Sequence, residues 1–174
     1  MGVLIRQAQI TDIPGIAKVQ VDTWRKTYQE IIPIAFLEKL SYQQKEKMWA
    51  KFIKNDQNRA QFVYVAENII GEIDGFISFA ESSGKDRFEA EVHAIYIFKE
   101  LQRKGIGKLL LQTAVQKLLD HNLKSMYLWV LAKNPAEKFY RSLGGKIIDK
   151  KIVKISDQEL TEIAYGWEDI EKIF

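Results

Sequence analysis

The sequence contains no cysteine among its 174 residues and only two histidines, His93 and His121. Without cysteine, the chain has no disulfide, no thiolate metal ligand and no thiol nucleophile. Two histidines are also too few for an imidazole-rich metal centre, so we predict that no metal takes part in the function.

Long apolar runs and targeting signals are absent as well. No segment approaches the roughly 20 consecutive apolar residues of a membrane-spanning helix, and residues 1–9 lack the apolar core of a signal peptide. The net charge of +3 is too small to indicate nucleic acid as the principal partner, although it suits an anionic cofactor. We expect a cytoplasmic protein with no membrane or nucleic-acid partner, whose residues 1–174 form one domain.

One stretch breaks two rules of local structure. An apolar strand pattern at 92–98 leads to a helical repeat of apolar residues from Ile106 to Leu119. Two glycines, Gly105 and Gly107, stand where the helix begins, and each costs up to about 1 kcal/mol relative to alanine. Cations crowd the same helix N-terminus, where they are also unfavourable; they are Arg103, Lys104 and Lys108. An anion bound there would explain both features, so the stretch predicts a phosphate-binding turn, with an ordinary solvated turn as the alternative.

Two well-known phosphate loops do not fit this stretch. A Walker loop requires Ser or Thr after Gly-Lys to bind magnesium, but Leu109 follows Gly107-Lys108. The dinucleotide fingerprint Gly-x-Gly-x-x-Gly also fails, because Leu110 occupies the position of its third glycine.

Two blocks of residues resemble the GNAT superfamily of N-acetyltransferases. The first is Gln102-x-x-Gly105-x-Gly107, which is similar to the acyl-coenzyme A loop of that family. The second, Trp129-Val130-Leu131-x-x-Asn134 followed by Phe139-Tyr140-x-x-x-Gly144, lies at the expected distance downstream. The resemblance implies an α/β fold in which a central mixed, mostly antiparallel sheet is flanked by helices on both faces.

The local patterns along the chain agree with this fold. They predict the element order β-α-α-α-β-β-β-α-β-α-β-β. Strands are predicted at 3–6, 61–67, 70–80, 92–98, 124–131, 146–155 and 160–167. Helices are predicted from a cap at 11–14 to residue 27, at 34–40, from a capping box at 41–44 to residue 54, at 106–119 and at 135–143. Turns are predicted at 67–68 and 82–86.

The resemblance implies acetyl-coenzyme A as the acetyl donor. The turn would hold its diphosphate, and freed backbone groups of the preceding strand would pair with the pantetheine arm at a bulge. The implied cofactor contacts are Ile95, Tyr96, Ile97, Gln102, Arg103, Lys104, Gly105, Ile106, Gly107, Lys108, Asn134 and Tyr140. An alternative role for Asn134 is to cap the helix that follows it.

The resemblance also implies the catalytic groups. Tyr140 matches the position of the general acid that protonates the departing thiolate, and its alternative role is that of a packed aromatic. A base is needed as well, because only about one in 2,500 molecules of an amine with a lysine-like pKa is neutral at pH 7. Glu91 and His93, with Glu89 as a further candidate, alternate along the central strand and are predicted to share one face near the acyl group.

The expected function is transfer of an acetyl group to a primary amine by direct attack through a tetrahedral intermediate. Small amines, amino acids, polyamines, aminoglycosides and protein amino groups remain open as acceptors, and Trp24 and Tyr28 are the predicted substrate-binding residues. A longer acyl donor, or a coenzyme A-binding sensor without turnover, are the alternatives. The family analogy further suggests a possible homodimer, with the strand at 160–167 as its edge. Gly144-Gly145 departs from the usual Gly-Phe of the family and removes an aromatic beside the site.

Overall fold

A seven-stranded sheet forms the centre of the computed structural model, which describes residues 2–54, 61–83 and 87–174. The strands are β1 (Leu4–Gln7), β2 (Gln61–Glu67), β3 (Ile73–Glu81), β4 (Ala90–Ile97), β5 (Met126–Leu131), β6 (Lys146–Ile155) and β7 (Gln158–Trp167). They lie in the order β1-β2-β3-β4-β5-β7-β6, and all neighbours are antiparallel except the parallel pair β4 and β5. The predicted mixed, mostly antiparallel sheet is confirmed.

Helices cover both faces of this sheet. They are α1 (Ile13–Thr27), α2 (Ile34–Glu38), α3 (Tyr42–Lys54), α4 (Ile106–Asp120) and α5 (Glu137–Ser142). The helices α1 and α3 pack on one face, through Ile16, Val19 and Trp49. The helices α4 and α5 pack on the other, where α4 provides the crossover that a parallel pair such as β4 and β5 requires. Among the described residues, no helix combines the length and apolar character needed to cross a membrane.

The largest apolar cluster lies between α4 and the sheet. The buried residues of α4 are Ile106, Leu110, Leu111, Ala114, Val115 and Leu118. They form one cluster with Ile77, Phe79 and Val92 of the central strands. Full burial of each large aliphatic side chain contributes roughly 1.5–3 kcal/mol, so this face anchors α4 and the turn before it. Leu109, at the border of the apolar stripe, is 44% exposed.

The turn between β2 and β3 is longer than predicted. The Asn68 side chain accepts hydrogen bonds from the N–H groups of Ile70 (3.1 Å) and Glu72 (3.0 Å). Gly71 completes the turn with a φ of 84°, which favours glycine. The strand β3 therefore begins at Ile73 rather than at residue 70. The predicted turn at 82–86 lies partly outside the described residues, because 84–86 are not among them.

The two C-terminal strands are ordered differently from the prediction. The strand β7 lies between β5 and β6, with Trp129 opposite Ala164 on one side and Lys151 opposite Glu162 on the other. The prediction that residues 160–167 supply an edge is therefore wrong. The edge strand on this side is β6, where Ile147, Ile148 and Ile152 are exposed.

Candidate active site

The parallel strands β4 and β5 separate after three residue pairs. Pairing ends at Val92 and Leu128, whereas β4 stays paired with β3 as far as Ile97. The residues beyond this point, 93–97 of β4 and 129–131 of β5, bound a wedge that we call the β4–β5 gap. The strand edges in this gap carry backbone N–H and C=O groups that no neighbouring strand pairs with.

A β-bulge lies at the start of the gap. Ser78 pairs with Ala94 but the next residue, Phe79, pairs with Val92, so His93 is the extra residue. A bulge bends its strand and increases the local twist, which accounts for the divergence of β4 from β5. It also shifts the alternation of side chains. Both Val92 and, beyond the bulge, Ile95 contact the cluster under α4.

The hydrogen bonds of β4 with β3 show which backbone groups face the gap. The Phe98 N–H donates to the Asp74 carbonyl (3.1 Å), and alternation along an antiparallel ladder then directs the backbone of Tyr96 towards β3. By the same alternation, the backbone groups of Ile95 and Ile97 point into the gap. Of the three residues predicted to contact the cofactor through their backbone, Tyr96 therefore faces β3 and not the gap. Its side chain packs with the cluster of α1 and α3.

The side chain of Gln102 fixes the end of β4. Its Nε2 donates to the Ile97 carbonyl at 3.1 Å, and the Thr23 hydroxyl approaches the same oxygen at 3.4 Å. The glutamine of the predicted loop therefore contacts the strand that borders the gap. The structure gives it a role in holding the turn against β4.

The turn from 102 to 105 has a backbone shape that suits an anion. Arg103 has a φ of 62° and Gly105, the N-cap of α4, has a φ of 89°. None of the described side chains caps this helix, and a backbone hydrogen bond runs from Leu109 N–H to Gly105 O (3.1 Å). The N–H groups just before Leu109 point out of the helix N-terminus, where an α-helix offers them no backbone acceptor.

The three predicted cations surround this helix terminus. The side chains of Arg103, Lys104 and Lys108 are exposed. Gly107 lies on the inner side, where an added Cβ would stand 3.2 Å from Ile97 Cδ1 and 3.7 Å from the Phe139 ring. The structure therefore brings the turn, the end of β4 and α5 together at the open end of the gap.

Tyr140 is buried beside the gap on the side of α4. Its side chain is 5% exposed, and it contacts the rings of Phe139, Tyr165 and Trp167 at centroid distances of 5.6, 5.9 and 6.3 Å. Burial raises the pKa of Tyr140 above its ordinary value, with a further contribution from Tyr96. The phenol is therefore neutral, and its proton is available at physiological pH.

A group of aromatic side chains closes the other side of the gap. The Asn134 Nδ2 donates to the Tyr28 hydroxyl at 2.8 Å, while Asn134 Oδ1 accepts from the Ala136 N–H at 2.9 Å. Asn134 thus caps the turn before α5, as its alternative role predicted, and joins that turn to α1. The Trp24 ring meets Tyr28 edge-on at 4.9 Å.

The Trp24 indole N–H is an unpaired donor in this group. Its Nε1 atom is buried and has no hydrogen-bond partner within the described ranges 2–54, 61–83 and 87–174. Burial raises the pKa of Tyr96, and the nearby Trp24 N–H lowers it. The indole N–H and the Tyr96 side chain nevertheless do not meet the geometry of a hydrogen bond. An unpaired buried donor costs roughly 1–3 kcal/mol unless a ligand or water accepts from it.

The two predicted bases lie side by side at the bulge. His93 Nδ1 is 3.6 Å from Glu91 Oε1, and the Tyr127 hydroxyl donates to Glu91 Oε2 at 2.9 Å. The adjacent His93 is the main cause of a lowered pKa for Glu91, with Tyr127 and Lys151 acting in the same direction. Glu89 is engaged elsewhere, because its carboxylate accepts from the Lys124 N–H at 2.6 Å.

A second polar group on this face was not predicted from the sequence. The Lys151 Nζ lies 3.9 Å from the centroid of the Trp129 ring and 3.2 Å from Glu162 Oε2. These residues come from β6, β5 and β7. The alternation of each strand was visible in the sequence, but the strand order that joins the three residues was not.

Gly145 stands where the family motif usually has phenylalanine, and the contact with Trp167 explains this difference. A Cβ at Gly145 would stand 2.6 Å from Trp167 Cζ2 and 2.8 Å from the Tyr140 carbonyl, so no larger residue fits there. The Trp167 Nε1 donates to the Leu143 carbonyl at 2.8 Å. An aromatic from β7 therefore packs beside Tyr140, in place of the one missing from the sequence motif.

A cavity of about 580 Å³ lies beyond the end of β5. It is bounded by the α1–α2 connection, the residues after β5 and the β6–β7 hairpin, and its lining includes Glu30, Lys133 and Glu159. Among the residues that the structure describes, no group of three or more His, Asp or Glu side chains is arranged to hold a metal ion.

Comparisons with known proteins identify the family. Residues 21–144 match the model of the acetyltransferase (GNAT) family. The uncharacterized N-acetyltransferase YuaI of Bacillus subtilis (strain 168) is 36% identical over 173 residues, which are 98% of this chain and 96% of that protein. The chain belongs to the GNAT family of acetyltransferases. It is an enzyme of that class, as the two sequence blocks implied.

A sequence comparison and a structure comparison with Thermoplasma acidophilum also find similarity to this GNAT chain. A spermidine N(1)-acetyltransferase is 25% identical, and the match covers 86% of this chain and 91% of that protein. The crystal structure of PaiA N-acetyltransferase in complex with coenzyme A superposes with a TM-score of 0.73 at 24% identity, over 93% of this chain and 98% of that one. At that identity the structural likeness establishes the fold, which is the one the resemblance implied.

Proposed function

We propose that this acetyltransferase uses acetyl-coenzyme A as its donor and a primary amine as its acceptor, in one step of direct attack. The observation that carries the proposal is the β4–β5 gap, with a cationic helix N-terminus at its open end and a neutral phenol beside it. An extended thioester arm needs backbone partners, an anion site and a proton donor, and all three are present. Residues 1–174 would act as one catalytic domain.

The donor site is assembled from backbone and cations. The N–H groups before Leu109, together with Arg103, Lys104 and Lys108, suit the diphosphate. The backbone groups of Ile95 and the N–H of Ile97 are directed towards the gap and suit the amide groups of the pantetheine arm, like an added strand. The roles of Gln102 and Asn134 are to hold the two walls of this site, since their side chains contact Ile97 and Tyr28.

His93 is the base that the geometry favours. The pKa of Glu91 is lowered, which makes this carboxylate a weak proton acceptor. The carboxylate lies beside His93 Nδ1, where it can orient the ring. An imidazole ring nitrogen with a lone pair can accept a proton from an attacking amine. A large loss of kcat in His93→Gln and a smaller loss in Glu91→Gln is the expected result, and the opposite pattern would reverse the two roles.

The acceptor side is the face that carries Trp24, Tyr28 and Tyr96. The free Trp24 N–H offers one hydrogen bond to a bound molecule, and the aromatic rings offer apolar contact. The relative that acts on spermidine supports a small amine or polyamine as the acceptor. Amino acids and protein amino groups are the remaining candidates.

Release of free thiol from acetyl-coenzyme A across a panel of amines tests the proposal. Turnover that depends on a primary amine is the expected result. Tight coenzyme A binding with no thiol release for any acceptor would favour the sensor alternative. Faster turnover with a longer acyl donor would show that the enzyme transfers that acyl group rather than acetyl.

A homodimer through the C-terminal strands is a further part of the proposal. The edge strand β6 exposes Ile147, Ile148 and Ile152, and edge strands readily pair with another chain. Sedimentation of the wild type and of Ile152→Lys tests it. A dimer that is lost in the variant is expected, and a monomeric wild type would rule it out.

A further inference from the structure

Two side chains on the acceptor face, Trp129 and Glu162, contact the ammonium group of Lys151. The Lys151 ammonium lies 3.9 Å from the centroid of the Trp129 ring and 3.2 Å from Glu162 Oε2. An indole face and a carboxylate together favour an ammonium group, through cation–π attraction and a charge-assisted hydrogen bond. The ammonium that occupies the site in this structure belongs to the chain itself.

This site faces the same space as the aromatic side chains of the gap. Glu162 lies opposite Leu131, the last residue of β5. Leu131 packs in one apolar cluster with Tyr28, so Glu162 lies beside the strand end that contacts this phenol. One strand, β5, separates β7 from β4. Trp129 directly follows Leu128, where the pairing of β4 with β5 ends, so the cation site borders the gap that begins at His93. A diamine with one amine at His93 can therefore direct its other amine along the gap towards this site.

The contact of Lys151 with this site is an exchangeable one. The side chain of Lys151 is 46% exposed, whereas that of Glu162 is only 24% exposed. Exposed ion pairs contribute little to stability, so Lys151 can turn into solvent at small cost. The less exposed carboxylate would then be left without its cation, which favours a replacement from the ligand.

We propose that Trp129 and Glu162 hold a second ammonium group of the acceptor, in exchange with Lys151, so that the preferred substrate is a diamine or longer polyamine. This inference rests on the proposed acetyl transfer to an amine. An acceptor with a carboxylate in place of the second amine is disfavoured, because it would lie on a face that carries two carboxylates of its own, Glu91 and Glu162.

The competing explanation is an ordinary cross-strand ion pair. Lys151 and Glu162 lie directly opposite each other on β6 and β7, where such pairs stabilise hairpins. A purely structural pair predicts that removing either partner lowers stability and affects all acceptors alike. The exchange mechanism predicts opposite effects of the two removals on the preference for a diamine.

The test compares kcat/KM for cadaverine and for pentylamine, which differ by one terminal amine. The wild type is expected to prefer cadaverine at least about tenfold, the effect of one charged contact. This ratio should fall towards one in Glu162→Gln and rise in Lys151→Met, which keeps an apolar stem over Trp129. Glu168→Gln, which removes the same charge from an exposed pair with Arg87, is the control and should leave the ratio unchanged.

A binding measurement supports the kinetic one. Calorimetry with cadaverine in the presence of coenzyme A should show weaker binding in Glu162→Gln and tighter binding in Lys151→Met. Equal ratios in the wild type and both variants, or a parallel loss in both, would overturn the exchange mechanism. If pentylamine is acetylated as well as cadaverine, the inference fails while the proposed function stands; if neither is acetylated and coenzyme A gives no heat, the proposed function itself fails.

Discussion

Replacement of Tyr140 by phenylalanine separates chemistry from folding at one atom. Phenylalanine keeps the ring contacts with Phe139, Tyr165 and Trp167, because only the hydroxyl is removed. Among the described residues, that hydroxyl has no hydrogen-bond partner, so its loss breaks no internal bond. The free energy of unfolding in Tyr140→Phe is therefore expected to change by less than about 1 kcal/mol.

The expected loss of activity is much larger. A positioned general acid contributes roughly a hundredfold to ten-thousandfold to a rate, which corresponds to about 2.7–5.5 kcal/mol of transition-state stabilisation. We expect kcat of Tyr140→Phe to fall at least about a hundredfold, while the KM for acetyl-coenzyme A changes by no more than about twofold. Thiol release at saturating donor and acceptor measures kcat, calorimetry measures coenzyme A affinity, and urea unfolding measures stability.

Tyr165→Phe is the matched control. Its ring lies 5.9 Å from that of Tyr140, and its hydroxyl donates to Glu137 Oε2 at 2.8 Å. Removing this hydroxyl should lower the free energy of unfolding by about 1–2 kcal/mol and leave kcat nearly intact. A Tyr140→Phe enzyme with kcat within threefold of the wild type (about 0.7 kcal/mol), or with equal losses of kcat and coenzyme A affinity, would refute the acid role.

Three other substitutions test the turn, the packing and the electrostatics. Gly107→Glu should abolish coenzyme A binding in calorimetry, because it adds a negative charge at the turn, while Gly107→Ala should retain most of the binding. An unchanged affinity in Gly107→Glu would contradict the proposal that the diphosphate binds at this turn. Gly145→Ala should lower the free energy of unfolding in urea by about 1–3 kcal/mol, because its Cβ would collide with Trp167; a neutral result would show that the indole can move. The Arg6 guanidinium holds the pKa of Asp12 below 3.8, so the pair stabilises the fold above that pH and the benefit is lost on acidification. Asp12→Asn should thus unfold about 1–2 kcal/mol more easily at pH 7 in urea, with the difference shrinking as the pH falls below the ordinary pKa of an aspartate, and a constant difference would contradict this linkage.

Local patterns alone determined most of the secondary structure. The strands at 61–67 and 146–155 were predicted to the residue, because alternating apolar side chains between turn residues leave little freedom in where they begin and end. The helix from Ile106 was predicted by a buried stripe of helical period. The turn before this helix was also visible locally, because two glycines and three cations mark the helix N-terminus.

The arrangement of the active site was decided only in three dimensions. The bulge at His93 depends on the register of β4 against β3, and register is a property of two strands. The regular alternation of β4 beyond the bulge then divides the backbone groups of Ile95, Tyr96 and Ile97 between the gap and β3. The sequence marked these residues as important but carried no sign of which backbone groups would be free.

The sequence by itself determined the family, the glycine-rich turn before α4 and the position of Tyr140 in the helix after β5, because each is encoded within a few consecutive residues. The tertiary structure alone decided the acceptor face. Its cation site joins Trp129, Lys151 and Glu162 through a strand order in which β7 lies between β5 and β6. Non-local pairing of this kind is set by the packing of the whole sheet, so no local pattern records which side chains will meet.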